Sequence, residues 1–233
     1  MRRIFAIVAV LGWGAAAFGS TITFIGSGTS SGGNAENASA TLVTGAGTIS
    51  VTLNNLLSNP TDVAQNLSDL LITLSNGATT GTLTSSSGTE LTVNSGGAYT
   101  VGSSVATGWA LTSMGGSLLL EVLGTPEAPA HTIIGTSSNG TYSGGTYSNA
   151  NGSIAGNGPH NPFLESGTTF TLSVPSVTAA TTITAATFSF GTAAGNTLVG
   201  RTSTVPEPFT MVLVGAGLLA MGRFGMQRKS KRC

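Results

Sequence analysis

The chain is 233 residues long with only 7% of them charged, and its eight Lys and Arg offset eight Asp and Glu. Seven of those cations sit at the ends (Arg2, Arg3, Arg223, Arg228, Lys229, Lys231, Arg232), so residues 20–204 set Arg201 alone against Glu36, Asp62, Asp69, Glu90, Glu121, Glu127 and Glu165, a net charge of −6. A body so poor in cations cannot neutralise a run of phosphates, which argues against nucleic acid as a partner, and the single cysteine, Cys233, leaves it without a disulfide.

In chain order, Met1-Arg2-Arg3 supplies a positive start, Ile4 to Leu11 an apolar stretch, and Ala15-Ala16-Ala17-Phe18-Gly19 the small residues that signal peptidase accepts. Residues 1–19 therefore read as a signal peptide. Cleavage falls after Gly19, with Ala17 two residues before it, or alternatively after Ala17 itself.

Residues 20–204 are rich in Thr, Ser, Gly and Asn interleaved with Val, Ile, Leu and Phe. Apolar residues alternate with polar ones at Ile49, Val51 and Leu53, at Phe170, Leu172 and Val174, and at Phe188 and Phe190, the period of strands buried on one face. Shorter strand signals are Thr21 to Ile25, Ala40 to Thr44, Ile72 to Ser75, Thr82 to Ser85, Leu91 to Val93, Tyr99 to Val101, Trp109 to Thr112, Leu118 to Val122 and Thr132 to Ile134. Gly, Asn, Ser and Pro clusters separate them. The expectation is an all-β domain of about ten to twelve antiparallel strands in two packed sheets, connected like a jelly roll. One segment departs from this period. Asp62 and Gln65 form a capping pair, and Val63, Leu67, Leu70 and Leu71 fall at helical spacing, which predicts a short helix plugging one end. Gly135 to Pro162 is the least strand-like stretch, a loop of a length that is usually functional or mobile.

Catalytic signals in this body are sparse. His131 and His160 are the only histidines, with Glu165 the one acid near His160, too few ligands for a zinc site. His160 reads instead as fixing a loop before Phe163. No Ser lies in a Gly-x-Ser-x-Gly elbow, and Gly115-Gly116-Ser117 reads as a turn, as do Gly26-Ser27-Gly28 and Gly45-Ala46-Gly47. Glu90, Glu121, Glu127 and Glu165 are the acids available to a glycosidase pair, Glu121 being the most notable because strand alternation sets it inside or outside the sandwich. Asp62 and Asp69 are the acids nearest to a calcium site, without an Asp-rich loop around them. No catalytic, cofactor or metal residue is assigned.

The chain ends with Val205-Pro206-Glu207-Pro208, an apolar run from Phe209 to Gly222, and the cations Arg228, Lys229, Lys231 and Arg232. A helix rising about 1.5 Å per residue needs roughly 20 apolar residues to cross a bilayer. Residues 209–226 suffice if Arg223 extends its guanidinium to the headgroups. Cations after a span remain in the cytoplasm, so residues 227–233 place the body on the other side of the membrane. Pro206 and Pro208 lack backbone donors and hold the motif extended, accessible to a processing enzyme.

These three parts in this order resemble the PEP-CTERM sorting signal of bacterial exported proteins, with the basic cluster more spread out than usual. The resemblance implies that residues 205–233 are recognised by exosortase, a membrane-embedded transpeptidase-like enzyme that cuts at the motif and passes the protein to the cell surface, often alongside exopolysaccharide. The nucleophile would belong to that enzyme. Phrases of the body such as Asn59-Pro60-Thr61-Asp62 and Gly158-Pro159-His160-Asn161-Pro162-Phe163 resemble exported domains bearing the same tail, which brings no activity with it. The expectation is a non-enzymatic surface or matrix protein, with an extracellular carbohydrate-active enzyme using Glu121 or Glu165, or a permanently anchored single-pass protein, as the alternatives.

Overall fold

The computed structural model describes residues 19–30, 32–123, 131–150, 152–193 and 195–203. The chain divides after Thr202 into two units, Met1–Thr202 and Ser203–Cys233. The described residues of the first unit are all-β, with two antiparallel sheets. The larger has the order β13 (Arg201–Thr202), β1 (Thr21–Thr29), β2 (Ala35–Thr44), β3 (Thr48–Asn55), β10 (Thr168–Ser173), β5 (Thr82–Val93), β6 (Tyr99–Val105), with β9 (Phe163–Leu164) also on β5. The smaller has the order β12 (Thr197–Val199), β11 (Ile183–Phe190), β4 (Leu67–Leu74), β8 (Ser117–Glu121), β7 (Ala110–Met114).

Alternation explains how the sheets face one another. Leu42, Ile49, Val51, Leu53, Phe170 and Leu172 are buried on one side of the larger sheet, and Leu70, Ile72, Leu118, Leu120 and Phe188 on one side of the smaller, all in one core. Each such side chain stabilises the fold by about 1.5–3 kcal/mol relative to exposure. The polar partners between them, such as Ser50, Thr169 and Thr187, face outward.

Three expectations are corrected. The helix is a single 3-10 turn, Val63–Gln65. Its capping box is present, with Asp62 accepting from the Ala64 N–H and Gln65 reaching back to Asp62 N, but Leu67, Leu70 and Leu71 belong to strand β4. A register shift where β4 meets Ser189 and Phe190 lets Leu67 and Leu70 both face the core three residues apart, which imitates a helical period. The jelly-roll connection gives way over β1, β2 and β3 to a meander of adjacent strands, because the tight turns at Ser30–Asn34 and Gly45–Gly47 return each strand beside its predecessor. Thr132–Ile134 is a stitch between the sheets: Ile133 exchanges backbone bonds with Leu67, and Leu164 with Thr132 and Ile134.

The long segment after Gly135 is a fixed strap. Leu164 belongs to the core between the sheets, whereas Leu91 and Phe163 join Val63, Val93, Ile134, Tyr147, Ala150 and Ile154 in a second cluster. Glu90 pairs with Leu164 and Leu91 with Phe163, and successive strand residues point to opposite faces, so the second cluster lies on the outer face of the larger sheet. Tyr147 is fully buried there, donating its hydroxyl to the Gly135 carbonyl at 2.8 Å, while Tyr142 donates to the Ile134 carbonyl at 2.8 Å.

Candidate functional site

The residues singled out as sorting determinants, Val205, Pro206, Glu207, Pro208, Arg228, Lys229, Lys231 and Arg232, lie outside the described residues, as do Ala17 and the expected span 209–226. Among the described residues no helix is long and apolar enough to cross a membrane. Gly19, the residue expected before the signal cleavage point, is described. A Cβ there would fall 1.5 Å from the Thr44 carbonyl oxygen, and the carbonyl of the next residue, Ser20, accepts from Thr44 N at 3.0 Å.

Of the acids expected to serve a carbohydrate-cleaving pair, Glu127 lies outside the described residues, and the fold separates Glu90, Glu121 and Glu165. Glu90 and Glu165 extend from opposite faces of the larger sheet, since Glu90 opposes Leu164 and Glu165 is the residue after it. Glu90 points inward to His131, whose Nε2 is 3.5 Å from Oε1. His131 is 1% exposed and gives its Nδ1 to the Pro162 carbonyl. Trp109 Nε1 in turn donates to the His131 carbonyl at 2.7 Å, so this histidine ties the strap's end to the core. Glu165 lies on the strap side, and burial raises its carboxyl above the usual range. His160 sits in the turn before Phe163, its N–H bonded to the Asn157 carbonyl.

Glu121 faces outward on the smaller sheet, accepting from Thr112 Oγ1 at 2.8 Å. It stands directly opposite Asp69 on β4, a pairing that no sequence signal announced. Asp69 is 7% exposed, and its Oδ1 accepts from the Val122 N–H at 3.1 Å. Burial, together with the neighbouring Glu121, pushes its carboxyl up to about 6 in spite of that bond. The pair lines neither of the two clefts described next, and Asp69 serves to cap the chain leaving β8.

One cleft, of about 590 Å³, opens at an end of the sandwich among Ser30, Asn34, Asp62, Ala64, Thr192 and Asn196. Under its wall lies Glu36, 1% exposed, which accepts from Asn196 Nδ2 through Oε1 and leaves Oε2 without a partner. Burial raises its carboxyl as well. The second cleft, of about 430 Å³, lies between the first half of β5 and the start of β7, with Trp109, Leu83 and Leu111 among hydroxyl side chains. Asp62, one of the two acids considered for calcium, is occupied as the cap of the 3-10 turn, and Asp69 is elsewhere. Among the described residues no three His, Cys, Asp or Glu side chains gather as a metal site.

No family model, no curated protein and no solved structure matches the chain.

Proposed function

We propose that this chain is an exported β-sandwich protein, delivered across the inner membrane by residues 1–19, held by the helix 209–226, and recognised by an exosortase-type enzyme at Val205-Pro206-Glu207-Pro208. Its mature form is a non-enzymatic component of the cell surface or extracellular matrix, in the company of exopolysaccharide. The observation that carries this reading is the order of the tail: a proline-held acidic motif, an apolar run, then the cations Arg228, Lys229, Lys231 and Arg232. The division of the chain after Thr202, three residues before the motif, supports it, because a cut at the motif leaves every strand of the body in place. So does the engagement of Ser20, the first residue after the expected signal cleavage.

Intact mass spectrometry of the protein recovered from the cell surface tests it. The expected species begins at Ser20 and has lost Phe209 to Cys233. Recovery of a chain still carrying residues 209–233 would replace this reading with that of a permanently anchored single-pass protein.

A further inference from the structure

The outer face of the larger sheet carries hydroxyl side chains in ranks that run across the strands. Thr23 on β1 stands opposite Thr41 on β2, Thr41 opposite Thr52 on β3, Thr52 opposite Thr169 on β10, and Thr169 opposite Ser87 on β5. A contact between the hydroxyls of Ser87 and Ser104, 2.7 Å apart, carries the rank on to β6. Beside it runs a second rank, Thr21, Val43, Ser50, Thr171 and Ser85. With strands about 4.8 Å apart and successive same-face residues about 6.7 Å apart, the five-strand ranks form two parallel tracks about 19 Å long.

Three properties of these tracks identify what they fit. They hold no charged residue, in a protein whose body is otherwise net acidic. Several of their hydroxyls have no use inside the fold: those of Ser50, Thr52 and Ser85 make no hydrogen bond among the described residues, in contrast to Thr23 and Thr41, which bond each other at 3.1 Å. Aliphatic side chains stand exposed beside the hydroxyls, Val43 within the second rank and Ile25 next to the first, each about two fifths exposed. Hydroxyls beside C–H surface, with no charge and no aromatic ring, complement a neutral sugar polymer, whose rings carry the same two kinds of surface. A sheet twists by about 20–25° from strand to strand, so the occupant must bend with the tracks, which suits a single solvated polysaccharide strand and disfavours a flat crystalline one. Among the described residues the strap after Gly135 meets this face around Leu91 and Val93, while Ser50, Ser85, Ser87 and Thr169 of the tracks are exposed.

We infer that the outer face of β1, β2, β3, β10 and β5 is a docking track for an extended, uncharged polysaccharide strand. This deepens the reading above and rests on it for the meeting of protein and polymer outside the cell, though not for the binding itself. The test is native affinity electrophoresis of the full chain in mild detergent, through gels containing laminarin, dextran or, as the acidic comparison, alginate. Retardation by a neutral glucan and none by alginate is expected. Thr52→Val with Thr169→Val, which keeps shape and strand propensity, should weaken it by about tenfold, the effect of two hydrogen bonds. Thr52→Ser should retain it, and Thr187→Val on the smaller sheet should leave it unchanged. No retardation by either neutral glucan, retardation by alginate alone, or an equal loss in Thr187→Val would overturn the inference. Those outcomes leave the sorting reading standing, whereas a mature protein that keeps its tail removes the sorting reading and leaves the track.

Discussion

Asp69 shows how the fold treats a carboxyl that it cannot hydrate. Its ordinary value of 3.8 is moved to about 6, chiefly by burial and in smaller part by Glu121 on the adjoining strand. A carboxyl raised in the folded state binds its proton more tightly there than in the unfolded chain. Its contribution therefore favours folding below about pH 4 and is lost as the pH climbs from about 4 through about 6, by roughly 3 kcal/mol at most. Glu36 and Glu165, also raised by burial, act in the same direction. Thermal melts at pH 4.5 and 7.5 should show the wild-type protein more stable at the lower pH. In Asp69→Asn, where the amide oxygen still accepts from Val122 N–H, the difference between the two melts should shrink without vanishing. A wild-type protein that gains stability across the same interval would contradict the burial of these groups.

The strap and the 3-10 turn are held by contacts that single substitutions can probe one at a time. Gly97 has φ of +85°, and a Cβ there would lie 2.0 Å from the Tyr147 carbonyl oxygen. Gly97→Ala is thus expected to cost more than about 2 kcal/mol through backbone strain and displacement of the strap. Tyr147→Phe removes only the bond to the Gly135 carbonyl and should cost about 1–2 kcal/mol. Urea unfolding measures both, and limited proteolysis within 135–162 should quicken more in Gly97→Ala. At the turn, Asp62→Ala loses the cap on Ala64 N and should cost about 1 kcal/mol in the same assay.

These elements also mark how far the sequence could be read. The strict alternation around Ile49, Phe170 and Phe188 revealed β3, β10 and β11, and the Asp62–Gln65 pair revealed the turn, because each is a local pattern with one physical solution. Ile72 to Ser75 announced the second half of β4, but Leu67 to Leu71 was opaque because a register irregularity put a helical spacing on a strand. The two signals Thr82 to Ser85 and Leu91 to Val93 proved to be one strand of twelve residues, since the stretch between them is polar, with Ser87 facing solvent and Ser86 turned in to accept from Thr107, and carries no apolar alternation. The second cluster was illegible for a different reason: Tyr142, Tyr147 and Ile154 are scattered through Gly and Asn, and only the tertiary fold shows that they converge on Leu91 and Phe163. The juxtaposition of Asp69 with Glu121 likewise depends on register, which no local pattern encodes.

At the scale of the whole molecule, the last strands close the sandwich immediately before the tail. Arg201 and Thr202 pair with Ile25 and Phe24, Gly200 donates to the Ala186 carbonyl, and Leu198 packs against the core beside Gly28. A chain ending at Thr204 keeps all of these contacts and should melt in one cooperative transition within about 2 °C of the full chain, a shift corresponding to less than about 1 kcal/mol. Reductant should move neither melt, since Cys233 is the only thiol. A chain ending at Gly195 forfeits β12 and β13, uncovers the edge of β1 and the Phe188 ring that Gly200 abuts, and should melt many degrees lower. If the chain ending at Thr204 proved as unstable as the one ending at Gly195, the tail would be part of the folded body. Removing it at Val205-Pro206-Glu207-Pro208 would then unfold the protein, and a sorting cut at that motif could not yield a folded surface protein.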